Sequence, residues 1–274
     1  MKEYDKYLKL LKEKYPTKQS VYRELINLNA IMNLPKGTEH FMSDLHGEYD
    51  AFYHIINNCS GVIREKVAML YGDELTVYEQ QELCTLIYYP REKLSILMDE
   101  NKVNDEWYRN VLNQLIQIAK LLSSKYTRSK VRKAMPVDFA YIIDELIHAQ
   151  KDEDDNRSVY HRQIMETILS LHNGDEFLVA LTDLIKRLAV DHLHILGDIY
   201  DRGAHADKIL DLLMEHHSVD IQWGNHDILW MGAFCGNPVC MALVVRNNIK
   251  YKTMSILENG YGISLRFLLQ FAVN

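Results

Sequence analysis

Residues 195–203 read ILGDIYDRG, and residues 220–227 read DIQWGNHD. These two stretches decide the fold, because each runs from apolar residues into a loop dense in metal-ligand types. Leu193, Ile195 and Leu196, and then Val219, Ile221 and Trp223, read as short buried strands. Residues 206–216 lie between them, with Ile209, Leu210, Leu212 and Leu213 at helical spacing. Strand, helix and strand in that order make a βαβ unit with a parallel pair. In open α/β sheets, sites form beyond the carboxyl ends of strands. Asp198, Asp201, Arg202, Asn225, His226 and Asp227 are therefore expected to crowd one edge.

A third loop of this kind lies far upstream, where Phe41 and Met42 run into Ser43-Asp44-Leu45-His46-Gly47. Asp44 and His46 are two residues apart, so on an extended strand end both point to one side. Carboxylate, imidazole and amide oxygen together suit borderline divalent ions such as manganese, iron(II) or zinc. A carboxylate can bridge two such ions, and two ions about 3.5–4 Å apart clamp a phosphate and an attacking hydroxide. Arg202 offers a planar fork of donors matched to phosphate oxygens. Taken singly, Asp198, Asp201 and Asn225 read equally well as turn residues, and His226 as a core histidine. Their joint occurrence with Arg202 and the distant Asp44/His46 pair favours a site.

DLHG, GDIYDRG and GNHD, in this order, resemble the first three signatures of the calcineurin-like binuclear metallophosphatases. The resemblance implies that Asp44, His46 and Asp198 hold a first metal, and that Asp198 bridges to a second, also held by Asn225. It makes His226 the general acid, Asp201 its orienting partner and Arg202 the phosphate grip. Residues 7–67, and QWGNHDILWMGAFCGN at 222–237, further resemble class III fructose-1,6-bisphosphatases. That family implies bacterial gluconeogenesis, a sugar bisphosphate substrate and two divalent ions, manganese foremost. The implied reaction is hydrolysis of the 1-phosphate of fructose 1,6-bisphosphate by a metal-activated hydroxide, without a phospho-enzyme. Family members are longer, and two further histidines complete their second metal site. Here the last histidine is His226, so the chain reads as an N-terminal portion, with a missing C-terminal portion or a homo-oligomer as its expected partners. The competing readings are another metallophosphoesterase, or an inactive fragment acting only as a binding or assembly module.

The expected fold is α/β: a partial metallophosphatase core, sheet layers flanked by helices, interrupted by a large inserted α-helical subdomain. Residues 1–61 supply the N-terminal helices, the first strand and the first metal loop. Residues 62–189 are helical almost throughout and form the insertion. Residues 190–274 are the second, apparently truncated, part of the core. Within this frame, residues 4–15 form a helix ended by Pro16, and a second starts at Gln19 or Ser20 with Tyr22, Leu25, Ile26 and Ile31 on its apolar face. After Gly47 a helix turns Phe52, Ile55 and Ile56 inward and closes at Gly61. Thr76 and Glu79 make a capping box, Pro90 stops that helix, and Trp107 to Leu122 mark a long amphipathic one. Residues 151–157 (KDEDDNR) read as an exposed loop.

Composition narrows the classes. The chain has 274 residues, of which 47% are hydrophobic and 25% charged, with net charge −7. This is an ordinary globular composition, and the negative balance disfavours broad nucleic-acid binding. The basic run 125–133 (KYTRSKVRK) reads as a solvated helix face, with a phosphate or effector contact as the alternative. Cys59, Cys84, Cys235 and Cys240 lack metal-site or disulfide spacing and read as buried reduced thiols. The first residues have no apolar signal-peptide core, and no run spans a membrane. A cytoplasmic location is expected.

Overall fold

The computed structural model describes residues 2–149 and 155–273. Its organising element is a three-stranded parallel sheet, ordered β1 (Glu39–Met42), β2 (His192–Leu196) and β3 (Val219–Gln222). Met42 pairs with Ile195, and Leu196 with Gln222, so the strands end level and their following loops open on one edge. The Ala206–Glu215 helix connects β2 to β3, which is the expected crossover.

Side chains alternate across the sheet. Leu193 and Ile195 are fully buried, in a cluster with Phe52, Ile209 and Leu213 from the Tyr49–Asn58 and Ala206–Glu215 helices. The opposite face, carrying Glu39, Phe41, His192, His194 and Leu196, is open. The expectation that both apolar runs are buried strands is corrected here: Leu196 is 47% exposed, Ile221 46% and Trp223 63%. Among the described residues one layer of helices covers the sheet, so one side chain in two on β2 finds a core, while Ile221 lies on the edge strand β3 and Trp223 beyond its end.

A second core, all helical, is built from residues between Cys59 and Val190. In the Asp105–Ser123 helix, Leu112, Leu115, Ile118, Ala119 and Leu122 form one buried stripe, the 3.6-residue pattern of an amphipathic helix. It packs on the Gly174–Ala189 helix, whose Phe177, Leu181 and Leu184 are fully buried. Each such side chain stabilises the fold by about 1.5–3 kcal/mol relative to exposure. The Thr76–Glu79 capping box forms, with the Thr76 N–H donating to Glu79 Oε2 at 2.8 Å and the Glu79 N–H to Thr76 Oγ1 at 3.2 Å.

Several local expectations change. The second helix is Lys18–Ile31, capped by Thr17, and none of its residues is buried; Leu25 and Ile26, expected on an apolar face, stay exposed. Cys59, at φ 52°, ends the Tyr49–Asn58 helix, while Gly61 caps the start of the next. Ile55 lies on that helix's outer side and is 37% exposed. The Val77–Tyr88 helix does end before Pro90, which also begins the Pro90–Asp99 helix, where its missing N–H costs nothing. Cys59 and Cys84 are buried, but Cys235 is exposed and Cys240 half-buried. Of the stretch 151–157, residues 151–154 lie outside the described residues, and Asp155 begins the Asp155–Ser170 helix. In the basic run, Lys130 pairs with Asp191 and Arg132 lies 3.8 Å from Asp144. Among the described residues, no helix is long and apolar enough to cross a membrane.

Candidate active site

The loops after β1 and β2 are laced together through their backbones. The Asp44 N–H donates to the Gly197 carbonyl at 3.2 Å, His46 to Asp198 at 2.8 Å and Gly47 to Ile199 at 2.8 Å; in return Gly203 donates to the His46 carbonyl at 2.7 Å. This approach leaves no room for a side chain. A Cβ on Gly47 would lie 2.5 Å from the Gly203 carbonyl oxygen, and one on Gly203 would lie 2.5 Å from that of His46.

Asp44 (φ 56°), His46 (44°), Asp198 (54°), Asp201 (65°) and Arg202 (74°) all adopt left-handed backbone. Such conformations cost of order 1 kcal/mol or more each, and they persist where surrounding bonds over-determine them. Asp44 and His46 therefore do not extend a strand, as the two-residue spacing implied. They meet because the loop coils, which brings Asp44 Oδ1 to 3.6 Å from His46 Nε2.

Asp44, His46 and Asp198 each place a ligand atom within 4.8 Å of the other two. The His46 ring is oriented from behind: Nδ1 lies 3.1 Å from the Tyr200 carbonyl oxygen. That carbonyl can only accept, so Nδ1 carries the proton and Nε2 presents a lone pair. Nε2 is buried and has no hydrogen-bond partner. An orphaned imidazole lone pair facing two carboxylates is a fitting cradle for a divalent cation.

The loop after β3 closes the site through Asp227, to which the sequence reading gave no role. Its buried carboxylate accepts from four backbone N–H groups, those of Asp198 (2.7 Å), Ile199 (2.9 Å), Tyr200 (3.2 Å) and Gly224 (2.8 Å). It thus ties the second loop to the third. Asp198 Oδ1 in turn accepts the His226 N–H at 3.1 Å.

His226 sits in the first turn of the Asn225–Phe234 helix. Its Nδ1 lies 2.7 Å from Oδ2 of Asp201, which is 3% exposed. Asp201 is held from two further sides, by Trp230 Nε1 on Oδ1 at 3.1 Å and by Asn247 Nδ2 on Oδ2 at 2.8 Å. Asn247 lies outside the motifs of the sequence, and Trp230, although within the 222–237 stretch, had no assigned role. Asn225 and Arg202 are exposed, and Arg202 makes no ion pair with any described residue. Tyr200 stacks on Trp230 at 4.4 Å and bonds to the Tyr261 hydroxyl at 2.8 Å. Burial, then the hydrogen bond to Tyr261, pushes its phenol well above the usual range.

A parallel sheet with two carboxylates and an imidazole converging at its carboxyl edge defines an α/β protein with a candidate divalent-cation centre. The firmicute fructose-1,6-bisphosphatase family model matches residues 6–274, and the chain belongs to that family. It is 53% identical over 284 residues to fructose-1,6-bisphosphatase class 3 1 of Clostridium beijerinckii, covering 100% of this chain and 43% of that protein. It is 55% identical over 267 residues to the class 3 enzyme of Listeria monocytogenes serotype 4b (97% and 41%). With the class 3 enzyme of Clostridium acetobutylicum, identity is 53% over 269 residues (98% and 40%). The chain thus spans about two-fifths of the length of these curated relatives. No solved structure matches it.

Proposed function

We propose that this chain supplies the metal-holding part of a bacterial, cytoplasmic fructose-1,6-bisphosphatase with a metallophosphatase core. The reaction is hydrolysis of the 1-phosphate of fructose 1,6-bisphosphate to fructose 6-phosphate and phosphate, within gluconeogenesis. The observation that carries this reading is the buried, unpartnered His46 Nε2 converging on Asp44 and Asp198, in a chain of this family.

In this reading Asp44, His46 and Asp198 hold one divalent cation, and Asp198 with Asn225 contributes to a second. The oxygen-rich donor set suits manganese. When bound, such ions supply a nucleophile at neutral pH and neutralise phosphate charge.

The remaining work falls to the chain's own side chains. Asp201 holds His226 through Nδ1, which fixes the orientation of the ring. Nε2 then gives a proton to the sugar oxygen as it leaves phosphorus. Arg202, free of ion pairs among the described residues, is available to grip phosphate oxygens bidentately.

The test is manganese-dependent phosphate release from fructose 1,6-bisphosphate by the full-length protein that contains this chain, with Asp198→Asn as control. Release lost in the variant supports the reading. Undiminished release from the variant, or a trapped covalent phosphoprotein, overturns it.

A further inference from the structure

The open face of the sheet carries a second convergence of ligand-type side chains, separate from the loops at its carboxyl edge. His192 and His194 are two apart on β2 and share this face, and Asp220 of β3 is the register partner of His194. Asp220 Oδ2 lies 3.2 Å from His192 Nε2, and Asp220 Oδ1 lies 2.9 Å from His194 Nδ1. The imidazole centroids are 4.4 Å apart. A ligand atom of each residue falls within 4.8 Å of the other two.

The outer nitrogens of the two rings differ in their surroundings. His192 Nδ1 lies 2.6 Å from Ser218 Oγ. His194 Nε2 is buried without a hydrogen bond, 3.9 Å from Glu39 Oε2 on β1, and the ring is stacked on Phe41 at 4.4 Å. A metal-bound histidine typically directs its far N–H at an oxygen, which turns the near nitrogen's lone pair toward the ion; Ser218 Oγ is so placed behind His192. Both inner nitrogens lie against Asp220, where a cation would take the place of the protons that otherwise bridge them. Tetrahedral zinc, with Zn–N and Zn–O of about 2.0–2.2 Å, sets its ligand atoms about 3.3 Å apart. The observed 3.2 and 2.9 Å are close to this spacing.

We propose that His192, His194 and Asp220 form a second, zinc-class cation site on the open face of the sheet. Two imidazoles and one carboxylate make a softer donor set than the oxygen-rich loop site, so the two select different metals. Three protein ligands leave the fourth tetrahedral position open to water or to a group from a segment packed over this face. An ion here staples β2 to β3 on a face that no hydrophobic layer of the described residues covers. The proposal does not depend on the phosphatase reading.

The experiment is cobalt(II) titration of this chain in an Asp44→Asn, Asp198→Asn background, followed by the visible absorption of tetrahedral cobalt and by competition with zinc. One equivalent should bind with a tetrahedral band and be displaced by zinc. Adding Asp220→Asn, at a residue whose side chain is 59% exposed, should abolish the band. Ser218→Ala in the same background should weaken binding roughly 10–100-fold, the usual effect of losing an outer-shell partner. Absence of a bound equivalent, or a band unchanged by Asp220→Asn, overturns the proposal. If the background protein loses its native circular dichroism, the same titration of otherwise unaltered protein decides: Asp220→Asn must remove one cobalt equivalent, and an unchanged stoichiometry refutes the site.

Discussion

His226 Nδ1 and Asp201 Oδ2 lie 2.7 Å apart, with the carboxylate buried and also held by Trp230 and Asn247. The pair is fixed before any ligand arrives. His226→Asn should therefore leave metal content unchanged and lower kcat about 10²–10⁴-fold, the usual contribution of a positioned general acid. Elemental analysis beside steady-state kinetics of the full-length protein checks both halves. Loss of metal in this variant would refute the acid assignment.

Asp198→Asn should behave oppositely. It replaces a carboxylate that converges with Asp44 and His46 by a neutral amide, so bound manganese and activity should fall together. Equilibrium dialysis with manganese reads the first directly.

Gly224→Ala tests the site without altering a ligand. Gly224 has φ −91°, which any residue tolerates, but an added Cβ would lie 2.1 Å from Asp198 Oδ1 and 2.6 Å from the Asp198 nitrogen. The Asp198 carboxylate must move. Metal affinity should drop at least tenfold, and stability should fall by about 1–3 kcal/mol, the usual cost of overpacking. Urea unfolding measured beside metal binding separates the two effects.

Asp227→Asn changes one oxygen into an NH2 group that must face backbone N–H donors. Charge-assisted bonds are worth about 1.5–3 kcal/mol each, and four converge here. A loss of roughly 2–4 kcal/mol in urea unfolding is expected. A loss below about 0.5 kcal/mol, the range of ordinary surface changes, would show that the clamp is dispensable.

Burial, reinforced by the adjacent His217, pushes the His216 imidazole down to about 4, against about 6.5 in the unfolded chain. Between those values the unfolded state holds a proton that the folded state does not, so stability falls as pH drops through that window. Urea midpoints between pH 7 and 5 should fall less steeply in His216→Gln. Identical slopes would show that His216 is not the group responsible.

Much of this architecture was legible from local pattern. Apolar runs ending in DLHG, GDIYDRG and GNHD marked three strand ends, because strand burial and turn chemistry are written in neighbouring residues. The capping box at Thr76 and the stripe from Leu112 to Leu122 are likewise short-range signals. Side-chain type chose the chemistry, since carboxylate and imidazole have few other reasons to gather beside glycines.

What the sequence determined, then, was which residues can bind a cation and that parallel strands present them. Only the tertiary structure decided how they meet. Asp44 reaches His46 through left-handed loop backbone, and Asp227 gathers amides from Asp198 to Tyr200. Asn247 arrives at Asp201 from a helix 46 residues onward, and His192, His194 and Asp220 converge across two strands. Nothing periodic announces such contacts, because each depends on backbone torsions and strand register that are fixed only when the loops bond to one another.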